Sequence, residues 1–323
     1  MTDPKLEIIE FFEDDYSEQY KKYDKNESHI INPFSLGTFR LYNAHDCHTT
    51  AIRHTILKHI PQKRLLCKSI VTSENKIFYE ELKLNINQIP LKNDIPVGTV
   101  FIIDYINKNS FPIYISSYHF HNTKYNIREY ADYFDKLCIL GSTKSLKIEA
   151  EVIEGYGYEN ALFNSCCKFG QKIINNELID DAHITEYNDY ECFFQSNGTI
   201  PVKELFKMAI QHIINKLEEY KVIIENKKNE NNKLFTIENE NSLFIVNFYN
   251  ETYTISNLIK RALYEHAEDK KIIIPFIDNK VNSDNRTCEF IVSYSNHETI
   301  IKLLIEAIDK YIKIYEKFLK QIK

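Results

Sequence analysis

"HTTAIRHTILKHIP", residues 48–61, is the stretch whose reading decides the fold. Polar, strand-friendly threonines give way to apolar side chains at helical spacing, and Pro61 closes the run. Ile52, Ile56 and Ile60 recur every four residues, so they stack in one column that a partner helix can cover. Roughly two hundred residues on, "ETYTISNLIKRAL" (251–263) makes the same transition. There Thr254 is a candidate N-cap, and Ile255, Leu258, Ile259, Ala262 and Leu263 form an i, i+3, i+4, i+7, i+8 face. One chain thus opens two helices with the same kind of phrase, one near each end.

Each phrase is followed, later in the chain, by a long amphipathic helix. "PVKELFKMAIQHIINKLEEYKVII" (201–224) places Pro201 at a first helical position and aligns Val202, Leu205, Phe206, Ala209, Ile213, Leu217 and Tyr220. The segment 297–322 aligns Ile301, Leu304, Ile308, Tyr311, Tyr315, Leu319 and Ile322. "LGTFRLYNA", "KRLLCKSIVTS", "SLKIEAEVIE", "SLFIVNFYN", "KKIIIPFI" and "TCEFIVSYS" read as strands. The order strand, helix, strands, long helix therefore occurs twice. The chain divides into an acidic extension (1–30), a first unit (31–91 with 141–224), a β-rich, aromatic insert (92–140), a linker and a second unit (234–323). "ENKKNENNK" (225–233) has no apolar side chain to offset its ordering entropy, and 225–242 as a whole reads as a flexible connection. The fold expected is α+β, two related units with an insert in the first.

Composition narrows the function classes. With 43% hydrophobic and 27% charged residues over 323 positions, the chain has the balance of a core-forming globular protein. Only 7 glycines argue against Gly-rich phosphate loops. A net charge of −6 argues against wrapping nucleic acid by charge alone. The first residues lack the basic-then-apolar order of a signal peptide, and no run reaches a membrane span, so a soluble, intracellular protein is expected. Seven scattered cysteines then read as free thiols, the neighbours Cys166 and Cys167 among them.

These residues resemble a known family. "HTTAIRHTILKHIP" is similar to the first helix of the α-type RNA polymerase subunits: the bacterial α, the archaeal D and the eukaryotic third-largest subunit. Thr49, Thr50, Ile52, Arg53, Ile60 and Pro61 take the family's places. "EELKLNINQIPL" (80–91) resembles its segment ending Ile–Pro–Leu. In "LKIEAEVIEGYGYENALFN" (146–164), Gly155, Gly157, Asn160, Ala161 and Phe163 match its Gly–x–Gly signature. The second unit resembles the partner family, the archaeal L and eukaryotic eleventh subunits, through Glu251, Thr254, Ile255, Asn257, Leu258 and Ile259. Fusions of the two are known among large nucleocytoplasmic DNA viruses such as asfarviruses. The match has departures. Tyr253 and Ser256 replace the usual His and Gly, Asn160 replaces a His, and Asn85 a frequent Arg. The partner family's Gly–Tyr…Pro–His–Pro turn is absent, and with only Cys138 in the insert no zinc loop is expected.

The resemblance implies a non-catalytic assembly platform that holds the two largest catalytic subunits of a DNA-directed RNA polymerase. The two units would form an intramolecular pseudo-dimer through Ile52, Ile56, Ile60, Ile213, Leu217, Leu258, Ile259, Leu263, Leu304, Ile308 and Tyr315. Arg53, with Thr49 and Thr50, would meet the second-largest subunit, since a guanidinium fork pairs bidentately across an interface. Lys260 would meet the largest, and a turn at Gly155 and Gly157 would present Asn160, Ala161 and Phe163 to a neighbour. A tenth-subunit-like small subunit is a further implied partner. No cofactor, sequence-specific nucleic acid, membrane or homo-oligomer is implied. The setting would be a virus factory and virion for a viral protein, the nucleus otherwise. The alternative is a scaffold of another complex that reuses the fold. "NAHDCHTT" (43–50) gathers His45, Asp46, Cys47 and His48, but zinc sites favour ligands two to four residues apart. A polar helix start capped by Asp46 or Thr49 is expected instead, and no hydrolase, P-loop or metalloprotease motif occurs.

Overall fold

The computed structural model describes residues 3–13, 35–75, 78–131, 136–174, 187–225, 235–240, 243–249, 253–282, 287–293 and 297–322. The architecture is mixed α+β. The first sheet has the order β1 (Lys5–Glu13), β2 (Ser35–Ala44), β10 (Asn188–Ser196), β9 (Cys166–Ile173), all antiparallel. Helix α1 (Asp46–His54) follows β2 and continues as a π-helical turn at Thr55–His59 before Pro61 ends it. Helix α4 (Val202–Glu225) follows β10. Another sheet, near the C-terminus, has the order β11 (Phe235–Glu240), β12 (Leu243–Tyr249), β14 (Thr287–Ser293), β13 (Phe276–Asn282). Helix α5 (Tyr253–Asp269) follows β12 and α6 (His297–Gln321) follows β14. Edge strand, central strand, helix, edge strand, central strand, long helix is thus the chain order in both.

Alternation makes the first sheet one-sided. Along β2 every second residue is buried, which turns Phe39 and Leu41 inward. Phe39 lies 4.7 Å from the ring of Phe206 on α4, and Phe194 of β10 lies 5.9 Å from it. The stripe expected on α4 is buried throughout, and so are Leu304, Ile308, Tyr311 and Tyr315 on α6. Helix α4 packs along α6, α5 packs on α6, and α1 packs on α5. One continuous hydrophobic core runs through both sheets and all four helices.

A separate core forms over residues 62–155. Its sheet has the order β4 (Pro90–Leu91), β3 (Gln62–Thr72), β8 (Ser145–Gly155), β5 (Val100–Ile106). Helix α2 (Tyr79–Asn87), the two-stranded sheet of β6 (Ile113–Ser116) and β7 (Lys136–Leu140), and the short α3 (Ile127–Tyr130) complete it. Leu65, Ile86, Phe101, Ile115, Ile148 and Val152 are among its buried residues.

Several expectations need correction. The insert is wider than 92–140, because β5 pairs with β8 and its core draws on β3 and α2. The acidic extension contributes β1, whose Leu6 is buried against β2. The connection 225–242 is not flexible throughout: Glu225 ends α4 and 235–240 is strand, while 226–234 lies outside the described residues. Glu251, matched to the partner family, also lies outside them. The strand expected at 270–277 begins only at Phe276, directly after Pro275. Ile273 is 86% exposed, which a paired, half-buried strand would not leave.

Candidate functional site

The two phrases meet. His54 of α1 and Thr254 of α5 are hydrogen-bonded, ring Nδ1 to Oγ1, at 2.9 Å. At the other end of the same helix pair, Arg261 donates to Tyr187, which lies just ahead of β10, and stacks 4.7 Å over its ring. Tyr187 in turn donates to Glu265 at 3.0 Å, and Arg261 pairs with Glu265 at 3.1 Å. Cys47, at the start of α1, lies in the field of both charges. Thr254 sits inside the first turn of α5, and its hydroxyl reaches across the seam to His54. Ser256, where the resembled family has Gly, is fully buried, and Tyr253 is about half exposed.

Four histidines on α1, its π-helical turn and α4 are pushed below their ordinary value, and two of them, His48 and His54, reach across the seam. His48 is 1% exposed, and its Nδ1 is 3.0 Å from the Tyr315 hydroxyl of α6. Burial, aided by the nearby His45 and Arg261, lowers it to about 3. His59 stacks 5.2 Å from His212 of α4, and burial brings each to about 4. His54 is lowered by burial and by the neighbouring Lys58 and Arg53. The rings are thus neutral packing elements at pH 7. Burial pushes the Tyr187 phenol up to about 12, with Arg261 opposing.

The helix start is capped by neither Asp46 nor Thr49. His45 is the N-cap, its Nδ1 accepting from the Cys47 N–H at 3.2 Å and lying 2.8 Å from the Asp46 carboxylate. Among the described residues no group of three or more His, Cys, Asp or Glu could hold a metal ion. Cys166 is buried but Cys167 is exposed, since neighbours on a strand point to opposite faces.

The residues assigned to subunit contact divide into outward and inward sets. Arg53 is exposed on α1 and makes no hydrogen bond or ion pair among the described residues; Thr50 beside it is half-buried. Thr49 is fully buried, its hydroxyl donating to the Asp46 carbonyl at 2.9 Å, so it offers nothing to a partner. Lys260 pairs with Asp278 at 3.0 Å within its own unit. Asn160 and Ala161 are exposed, with the Asn160 side chain accepting from the Leu162 N–H at 3.0 Å. Phe163 is turned inward, its ring packed so closely on Gly155 that a Cβ there would meet it at 2.7 Å. Gly157 permits a second close approach: a Cβ would stand 2.6 Å from the Leu57 carbonyl oxygen. With Tyr158 N–H donating to the Lys58 carbonyl at 3.3 Å, the Gly–x–Gly turn is seated on the end of the helix that carries Arg53.

The seam histidines, Tyr187, Arg261 and Glu265 do not stand out in the sequence. Their one local signal is the i, i+4 spacing of Arg261 and Glu265 along the edge of an apolar face. Compared with protein-family models and with curated proteins, the chain matches none. No helix among the described residues is long and apolar enough to cross a membrane.

Proposed function

We propose that this chain is a non-catalytic assembly platform of a multisubunit DNA-directed RNA polymerase, its two halves related as the third-like and eleventh-like subunits. The observation that carries the reading is the repeated strand–helix order, whose two resembling phrases are hydrogen-bonded to each other at His54 and Thr254. Two such units, each covering the other's apolar helices, are a pseudo-dimer held in one chain, where linkage replaces a bimolecular step. Arg53, exposed and without an intrachain ion pair among the described residues, is the contact for the second-largest subunit, flanked by the turn that exposes Asn160 and Ala161. Lys260 reaches the largest subunit only as part of its pair with Asp278. The buried Thr49 and Phe163 support the contact surface from within. The test is affinity purification of the tagged chain from its native source. Both of the largest polymerase subunits should co-purify in stoichiometric amounts, and absence of both overturns the proposal.

A further inference from the structure

The end of α1 is wound wide, as a π-turn over Thr55–His59. In that winding the N–H of residue i+5 bonds the carbonyl of residue i, so the Ile60 N–H goes to Thr55. An α-turn would send it to Ile56 instead. The Ile56 carbonyl is taken by the hydroxyl of Ser165, which is buried beside it. Ser165 is itself pinned. Its carbonyl accepts from the Asn197 N–H at 3.1 Å, and the neighbouring Asn164 carbonyl accepts from the Asn197 side chain at 2.9 Å. Two more carbonyls of the wide turn meet the same segment of chain. Lys58 accepts from the Tyr158 N–H, and a Cβ at 157 would stand 2.6 Å from the Leu57 carbonyl oxygen, so only glycine passes there. Groups from outside the helix thus hold its end open.

The wide winding is not what a helix adopts unaided. π-turns are rare, appear mostly as single turns within α-helices, and recur at functional sites. Thr55 Oγ1, fully buried at the head of this one, has no hydrogen-bond partner among the described residues. A buried hydroxyl left unbonded raises the free energy of this state and narrows its advantage over a rewound one. Rewinding would give the Ile56 carbonyl to the Ile60 N–H and set Ser165 free. We infer that the end of α1 is a two-state latch, π-wound while Ser165 and the turn at 156–158 hold its carbonyls and α-wound once they let go. The latch joins the exposed Asn160 and Ala161 to the path of the chain through Ile60 and Pro61 into β3. A partner that grips and lifts that turn is thereby felt at the helix end. The inference does not depend on the polymerase reading.

The full chain, isotopically labelled for NMR, reports the winding through the scalar coupling that crosses a hydrogen bond, here from the Ile60 nitrogen to its acceptor carbonyl. In the parent protein the acceptor should be Thr55. In S165A it should be Ile56, and the Tyr158 amide should exchange with solvent at least tenfold faster as the turn lifts. G157A, which pushes the same turn off Leu57 and leaves the Ser165 hydroxyl in place, should move both readings the same way, and it decides the matter if S165A does not fold. S116A is the control. Ser116 is as buried as Ser165 but lies in the core over 62–155, its hydroxyl 3.1 Å from His119 Nδ1, and its loss should leave both readings as in the parent. A folded variant with Ile60 still bonded to Thr55 overturns the inference. So does a change of acceptor with Tyr158 exchange unaltered, and the same shift in S116A means general loosening and equally overturns it.

Discussion

Replacing His48 by Gln should flatten the acid side of the stability profile by an amount the seam geometry sets. In the folded protein His48 is shut between Tyr311 and Tyr315, with ring centroids 5.0 and 5.8 Å away, and it takes a proton only near pH 3. In the unfolded chain it protonates near its ordinary 6.5. Between those values the unfolded state binds a proton that the folded state does not, so stability falls as pH drops from 6.5 toward 3. From pH 7.5 to pH 5.0 this single ring should remove about 2 kcal/mol. The figure is insensitive to the folded-state value, because any value of about 4 or below leaves the folded ring essentially unprotonated at pH 5. Urea unfolding of parent and H48Q at both pH values gives the comparison. H48Q will be less stable at pH 7.5, having lost a packed ring, but should lose about 2 kcal/mol less on acidification. The other titrating groups are common to both proteins and cancel in the difference. Parallel losses, or an NMR titration of His48 centred near its ordinary value, would refute the burial argument.

Arg53→Glu should leave the melting temperature essentially unchanged, since the side chain has no intrachain pair among the described residues, and should abolish pull-down of the second-largest polymerase subunit; unchanged pull-down counts against that contact. Gly157→Ala places a methyl 2.6 Å from the Leu57 carbonyl and against Asn164 Oδ1, and should cost about 1–3 kcal/mol by urea unfolding. Arg261→Met removes the guanidinium paired with the buried Glu265, which keeps its bond from Tyr187, and should cost about 2–4 kcal/mol, whereas the double change with Glu265→Gln should recover much of that loss. A double change no better than the single one would mean that packing, not charge, holds that corner.

What can be read from the sequence is what repeats locally. The stripes on α4 and α6 follow a 3.6-residue period along the whole of two long helices, and nothing in the tertiary structure competes with so long a signal. The start of β13 is harder to place, because "IIIPFI" is β-rich by composition and its apolar residues mask the break that Pro275 makes. β1 is hidden by its carboxylates: "KLEIIEFFE" alternates imperfectly, and a bulge between Ile8 and Glu10 breaks the period. The boundary of the second core is invisible for another reason, as the pairing of β5 with β8 is a long-range choice that leaves no local mark. The same holds for the seam. His54 and Thr254 are 200 residues apart, and no spacing rule connects them.

The register that pairs Gln62 with Gly155 has a consequence for how the chain assembles on emerging from a ribosome. β2 must wait for β10, which follows only after the whole 62–155 unit has been made. Left as a loose loop, that stretch of about 90 residues would cost on the order of 4 kcal/mol in closure entropy. Folded on its own core, with its first and last residues side by side, it becomes a buckle. It delivers the end of α1 and the start of β9 to the same place, where Ser165 hydrogen-bonds the Ile56 carbonyl. The folded unit thereby shortens the loop that the pairing of β2 with β10 has to close.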